Sequence, residues 1–586
     1  MNKLKDSKIY RICCSYIFPI ILILYPLRHI NIGLDFADTG YNYANFRYVG
    51  LEHTDALYFF STYLANVAGH FLTLLPGGHT LLFMNLYTGL FVSILAFISY
   101  LFLAKRMEIP ATLAFIGEFV AISICWCPTA LLYNYMTYML LLVGVILIYE
   151  GLTQDKEVYL IMAGVALGTN IFVRFSNIPE AGMIAAVWAY GIICRKKIKK
   201  VVRETGFCML GYFGSVILWL GYISVRYGLA SYVAGIKKLF AMTETVTDYK
   251  ATSMLYGMFS GYIDGGYWLS RILVFLVPGV VLCFVLPKGW NWIKRLICVF
   301  FSVAAAVWLY RSGFCKFEFY SDGDIYRSGV LFLILAMFVC ALRIFSGKTE
   351  KKEKLLAGMI ILVSLITSIG SNNGLLIGIN NLFLAVPYVL WAIYSFCRKA
   401  DIRLFAVKAM VVMFLTLFLV QSIGFGVKFV FAKSEEYNAV DAKVENSDVL
   451  KGIYMSEEKA DSMEEIIEYI SDRRLTGKEV ILYGKIPALS FYLEMPSSFH
   501  SWIDLESYSE DSLDTAIDQL KAEISEGEEL PIVIFSSNLI VDMETNSAED
   551  MKLSHIFDYM EEYGYMETFS NDMFVLYEAE NTGDKK

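Results

Sequence analysis

Clustered metal ligands are what this 586-residue chain most lacks. Its six histidines are dispersed. Its cysteines fall almost wholly inside hydrophobic segments, with none after residue 433. The two close groups, Cys13-Cys14 and Cys125-Trp126-Cys127, have no second ligand pair, so structural zinc is not expected. The thiols read as small buried apolar side chains, and no disulfide framework is evident. Charge is scarce as well, at 18% of residues. No basic patch lies outside short loops at the ends of hydrophobic runs, which argues against a nucleic-acid partner. No GxGxxG or phosphate-cradling glycine loop opens a helix, so no nucleotide site is indicated. There is no internal repeat of the kind many transporters carry. Nor does a small-residue cleavage site follow the first hydrophobic run, which ends Tyr25-Pro26-Leu27-Arg28-His29; it reads as a retained anchor.

What is abundant is apolar surface. With 57% hydrophobic residues and a mean hydropathy of +0.52, the composition is that of a polytopic membrane protein. Runs long enough to span number about 13 on the rule of roughly 20 residues per helix. They cover 10–29, 80–103, 109–127, 131–150, 158–174, 179–194, 205–225, 269–287, 293–311, 329–346, 355–371, 375–396 and 404–426. Basic residues mark alternate ends: Lys3, Lys5, Lys8 and Arg11, then Lys105-Arg106, Arg195 to Lys200, Lys294-Arg295, Lys351-Lys352 and Arg398-Lys399. The positive-inside rule puts all of them in the cytoplasm of a plasma-membrane protein, with the N-terminus inside and the C-terminal part outside.

From residue 434 the composition changes. Residues 434–586 hold 36 acids against 11 bases, which leaves the preceding part net basic by 17. Helical patterns over 456–473, 509–526 and 549–563 alternate with strands over 479–484, 531–535 and 573–577. That alternation predicts a small parallel sheet covered on both faces. The expected fold is thus a multi-pass α-helical membrane protein of about 13 spans with a C-terminal exofacial α/β domain. Its division is 1–433, with a large first outer loop over 30–79, and 434–586.

Polar, irregular sequence gathers in the outer loops, where function is expected. The first loop, IGLDFADTGYNYANFRYVGLEH over 32–53, carries Asp35 and Asp38 beside Tyr41 and Asn42. Either carboxylate suits a general base, and Asp38 equally suits an N-cap for a helix beginning at Thr39. Leu57, Phe60, Leu64, Val67, Phe71 and Leu74 follow helical spacing and predict an interfacial helix. The loop over 228–268 carries a Gly265-Gly266 hinge candidate. Arg174 sits at the outer end of a span, where it pairs with an anion or snorkels. Lys316, Arg327 and Arg311 flank the third outer loop and serve as anion ligands or interface anchors. In that loop Asp322-Gly323-Asp324 suits a weak cation. Asn372 and Asn373 lie between glycines, as side chains that can both donate to and accept from a ligand or as a turn. Glu118, within a span, reads as a protonated, hydrogen-bonded carboxyl. In the tail, His500 and Trp502 suit stacking on a ligand or plain packing.

This architecture resembles the C-type glycosyltransferase superfamily, which includes the protein O-mannosyltransferases and the aminoarabinose transferases of lipid A. Shared features are a carboxylate-bearing loop after the first span, an interfacial helix, about a dozen spans and an exofacial α/β tail. The local match is Asp35/Asp38. Where that superfamily often has Asp-Glu, this chain reads Asp-Phe-Ala-Asp-Thr-Gly, and the run through Asn45 is more similar to a bacterial branch than to the named enzymes. The resemblance implies transfer of a sugar from a polyprenyl-phosphate donor to an envelope glycan, glycolipid or protein, among membrane lipids and without a metal or other cofactor. It implies Asp38 or Asp35 as base, with Arg174, Arg327, Lys316 and Arg311 as candidates for the donor phosphate. Tyr41, Asn42, Asn372 and Asn373 are the candidates for sugar or acceptor. A transporter of a lipid-linked glycan and a non-catalytic scaffold are the alternatives.

Overall fold

The computed structural model describes residues 8–246, 249–399, 401–431, 440–539 and 551–579. Lys3, Lys5, the 433/434 division and the start of the helix expected at 549 lie outside them. Nine helices among the described residues are long and apolar enough to cross a membrane, from Lys8–Leu27 to Ile402–Lys428. The other expected spans fall on shorter helices: Ala111–Ser123, Glu157–Val173, Lys351–Ile366, and Leu375–Ile379 followed by Ala385–Cys397. Each hydrophobic run thus became a helix, because in a bilayer only intrahelical pairing satisfies the backbone. The chain is a multi-pass membrane protein.

Small residues decide how the spans pack. Helix Glu157–Val173 presents Gly164 and Gly168 to helix Ile198–Tyr227, which answers with Gly211. A Cβ on Gly164 would collide with the Cys208 carbonyl oxygen, and one on Gly211 with that of Ile161. Close backbone approach of this kind is how membrane helices gain dispersion energy where lipid supplies no hydrophobic drive.

Two expectations about the loops need correction. Residues 251–285 form one continuous helix of 35 residues. Gly265 is not a hinge: it packs against Val330 and Ile334, inside the turn-to-turn hydrogen bonding of that helix. At 1.5 Å per residue the helix is about 50 Å long, well beyond the roughly 30 Å hydrocarbon core, so it projects past the bilayer. The interfacial stripe breaks at Thr62 into helices Ala56–Ser61 and Tyr63–Thr73. Leu57 and Phe60 are buried in protein, while Val67, Phe71 and Leu74 remain exposed.

The tail carries strands β1 (Val480–Tyr483), β2 (Ile532–Ser536), β3 (Tyr565–Ser570) and β4 (Phe574–Ala579) in the order β1-β2-β4-β3. β1 and β2 are parallel, as expected, but β4 runs antiparallel to β2 and to β3. The sheet is therefore mixed. The three residues between β3 and β4 allow a hairpin and are far too few for a crossover. Helices Glu457–Asp472, Glu510–Glu526 and Met551–Tyr563 pack on it.

The tail is not a separate body hung on a linker. One apolar core joins Leu34, Phe36, Tyr43 and Phe46 of the first loop to Ile453, Met463, Leu489 and Phe491 of the tail. Helix Asp38–Arg47 lies against helix Leu489–Tyr492, so closely that a Cβ on Gly40 would overlap the Ala488 side chain. Gly40→Val is therefore expected to lower the thermal midpoint by several degrees, on the scale of about 1–3 kcal/mol for an overpacked core. It should also speed proteolytic release of the tail. Gly50→Val, where no atom lies within 4 Å of the added Cβ, serves as the control and should change neither measurement.

Candidate active site

The first loop is strapped into place by its backbone. The Gly33 amide donates to the Tyr454 carbonyl at 2.9 Å, and the Tyr454 amide donates back to Asn31 at 2.8 Å. Lys459 Nζ reaches the Leu34 carbonyl at 2.6 Å, and the Tyr492 hydroxyl reaches that of Asp35 at 2.6 Å. The Ala488 amide bonds the Phe36 carbonyl at 3.0 Å. The chain then turns into helix Asp38–Arg47, whose last residue pairs with Glu494 of the tail at 2.5 Å.

Within this turn the two carboxylates have different tasks. Asp35 accepts the Ala37 amide at 3.0 Å and the Thr39 amide at 2.7 Å, so it is Asp35 that caps the helix. Asp38 stands inside the first helical turn. Its part-buried carboxylate has no hydrogen bond or ion pair among the described residues. Burial, and secondly the charge of Asp35, push its pKa up to about 7. A carboxylate titrating there is a far stronger base than a solvated one.

Arg174 comes to the same place. It ends helix Glu157–Val173, donates to Asn134 Oδ1 at 3.4 Å and lies over the Tyr133 ring at 5.5 Å. Tyr133 and Cys127 each feel the charges of both Asp38 and Arg174, and Cys127 feels Asp322 as well. Cys127 and Tyr133 thus lie within electrostatic range of both Asp38 and Arg174. A cavity of about 140 Å³ opens at Cys127, lined also by Arg28, His29, Asp35, Thr39 and Tyr135 among others.

The remaining candidates are distributed differently. Tyr41 is buried beside Trp502 and His500 at ring distances of 5.3 and 5.6 Å, and its hydroxyl has no partner among the described residues. Asn42 uses its amide nitrogen on the Asp38 carbonyl at 2.8 Å. Arg327 binds the Gly313 carbonyl at 2.8 Å and lies over Trp268, Lys316 pairs with Asp324 at 3.2 Å, and Arg311 is exposed at a helix end. None of these three shares a hydrogen bond or ion pair with Asp38 or Arg174 among the described residues. Asp322 and Asp324, candidates for a weak cation, instead bind the amides of Gly323 and Ser321. Asn372 and Asn373 are exposed in a turn, where the Asn373 carbonyl accepts the Leu376 amide at 3.0 Å. Glu118 is fully buried between helices, with neither oxygen hydrogen-bonded among the described residues.

Sequence reasoning passed over Arg28 and His29. Arg28 donates to the carbonyls of Gly426 and Tyr25 and lines the cavity with Asp35. Burial, and then Arg28, lower the His29 pKa to about 4 and keep it neutral. The signal was a positive charge at the far end of the first span, away from the basic cytoplasmic ends.

No family model and no curated protein sequence matches this chain. Among solved structures, ArnT from Cupriavidus metallidurans bound to undecaprenyl phosphate is similar over 98% of both chains, at 11% identity and a TM-score of 0.51. AglB, the oligosaccharyltransferase from Archaeoglobus fulgidus, in complex with an inhibitory peptide and a dolichol-phosphate, is similar over 98% of this chain and 75% of that one. Its identity is 12% and its TM-score 0.44. At such identities a likeness is one of fold. The spans, the first loop with its capped helix and the α/β tail docked upon it together share the fold of ArnT.

Proposed function

We propose that the chain is a membrane glycosyltransferase, a hexosyl- or pentosyltransferase that uses a polyprenyl-phosphate sugar. The acceptor is an envelope glycan, glycolipid or protein. The observation that carries this reading is the Asp38 carboxylate, unpaired among the described residues and poised near neutrality, with Tyr133 within electrostatic range of both it and Arg174. The bound undecaprenyl phosphate of ArnT, which shares the fold, agrees with the donor class.

In this mechanism Asp38 accepts the proton of the acceptor hydroxyl as its oxygen attacks the anomeric carbon. The bond from that carbon to the phosphate oxygen breaks on the opposite face. The departing polyprenyl phosphate takes the electron pair, and the anomeric configuration inverts. Arg174 stabilises the charge growing on the phosphate. Arg327, Lys316 and Arg311 are further candidates for the donor phosphate, and Tyr41 and Asn42, on the helix that carries Asp38, are candidates for sugar or acceptor contact. The reaction takes place on the outer face of a plasma membrane, with residues 1–433 as the membrane part and 434–586 as the extracytoplasmic part.

The pH dependence follows from the raised pKa. Between about pH 4 and pH 7 the unfolded chain has released the Asp38 proton while the folded chain still holds it, so stability falls as pH rises through that window. Asp38→Asn removes this penalty and leaves Asp35 as cap. Its thermal midpoint should equal that of the parent near pH 4 and match or exceed it at pH 8. Transfer of labelled sugar should drop about 10²-fold or more, the scale of a lost general base. In the parent, transfer should decline below about pH 7. Asp35→Asn loses one of two amide contacts and should cost about 1 kcal/mol of stability with a milder loss of rate. Full activity in both variants would remove the base from this loop.

Reporter fusions at residues 197 and 350 should report the cytoplasm, and fusions at 240 and 500 the exterior. A cytoplasmic residue 500 would overturn the exofacial reading. Transfer should also survive a strong chelator; loss restored by manganese or magnesium would instead assign Asp322 and Asp324 to a cation and the donor to a diphosphate.

A further inference from the structure

A large cleft lies between the tail and the residues just after helix Asp38–Arg47. It has a volume of about 1440 Å³, with walls at 51–56, 231–238, 476–479, 498–500 and 508–530. That exceeds the roughly 300–1,000 Å³ of an ordinary small-molecule site and suits a chain-like ligand.

Its chemistry is one-sided. Asp55 and Glu529 are paired with Lys238 at 2.6 Å and Lys478 at 3.0 Å, the two lysines lining the cleft. Glu52, Glu479, Glu523, Glu526 and Glu528 line it with no cationic partner among the described residues. A ligand carrying phosphates or carboxylates would meet repulsion along its length, whereas protonated amines would be attracted.

The floor adds a second, independent feature. His500 is 2% exposed, and neither ring nitrogen has a hydrogen-bond partner among the described residues. The hydroxyls of Ser498 beside it and of Tyr41 are likewise unpartnered. The imidazole is wedged between the rings of Tyr58 and Tyr508, with centroids 4.2 and 4.9 Å away, so its orientation is set in advance. Burial lowers its pKa to about 3, and a neutral imidazole offers one donor and one acceptor. Buried polar groups left without partners are costly, and hydroxyl groups, which both donate and accept, match this set.

Tyr41 links the cleft to the reaction centre. It stands one helical turn from Asp38, on the same helix face, with its ring edge against His500. We propose that this cleft seats an amino-bearing glycan as the acceptor chain, with its protonated amines on the glutamate wall and its hydroxyls on the floor around His500 and Ser498. This rests on the transferase reading for its role as acceptor. Binding itself requires neither donor nor turnover.

The test measures binding to the full-length detergent-solubilised protein, both parent and Asp38→Asn, by calorimetry without donor. The ligands are a fully deacetylated glucosamine hexamer, the N-acetylated hexamer and hexalysine. The glucosamine hexamer should bind about tenfold or more tightly than either of the others. Its affinity should fall about tenfold in Glu523→Gln/Glu526→Gln/Glu528→Gln, whose substitutions are all at exposed positions. It should weaken again as salt rises from about 50 to about 300 mM, as screening of the glutamate wall requires. Equal binding of the N-acetylated hexamer would remove the charge selection, and equal binding of hexalysine would make the ligand a basic peptide. Unchanged binding in the triple variant would remove the cleft. Any of these overturns the inference while leaving the Asp38 base testable by its own rate loss. Retained binding in Asp38→Asn with full transfer would instead overturn the base and keep the cleft.

Discussion

Five hydrogen bonds between residues 31–36 and the tail hold the candidate site together. The donors and acceptors of Asn31, Gly33, Leu34, Asp35 and Phe36 are matched by Tyr454, Lys459, Tyr492 and Ala488. An irregular segment at a membrane face has no ladder of its own, and an unmatched buried amide or carbonyl costs as much as a lost hydrogen bond. The tail supplies the missing partners and adds an apolar core shared by Phe36, Tyr43, Leu489 and Phe491. The position of Asp38 is therefore a property of the whole chain, since residues more than four hundred apart in sequence set it.

From that strap follows the separation of two similar carboxylates. Asp35 lies where the Ala37 and Thr39 amides converge and accepts a hydrogen bond from each. Asp38, three residues on, is crowded by burial and by the charge of Asp35 without compensating donors among the described residues. One acid holds the helix start and the other is left without a hydrogen-bond partner among the described residues. The helix propagates this arrangement: one turn further, Tyr41 meets His500, so the Asp38 carboxylate and the acidic cleft are joined by a single rigid element. In the proposed reaction that rigidity fixes the distance between acceptor and base.

Much of this was legible beforehand, for reasons that differ by element. The spans could be read because bilayer burial demands unbroken apolar runs, and even the interrupted 375–396 run became helices. β1 and β2 could be read from Val480-Ile481-Leu482 and Ile532-Val533-Ile534, apolar runs of strand length. β3 could not: Tyr565–Ser570 is largely exposed and has Glu567 at its centre, so no burial pattern marks it. Thr62 breaks the interfacial helix, and Gly265 does not break the long one, because the first meets the Tyr58 carbonyl and the second meets packed neighbours. The neighbours of Gly265, Val330 and Ile334, lie more than sixty residues away and are not visible from the local sequence.

Sequence alone determined the hydrophobic spans, the acidic α/β tail and the presence of two carboxylates after the first span, since hydropathy, periodicity and charge are local quantities. Tertiary structure decided which carboxylate is capped and which is free. It set Arg174 on Asn134 and Tyr133, left Arg327 and Lys316 engaged elsewhere, and buried His500 beside a glutamate wall with nitrogens unpartnered among the described residues. Each of these depends on a partner distant in the chain, and the energy of a polar group is set by whichever atoms surround it after folding.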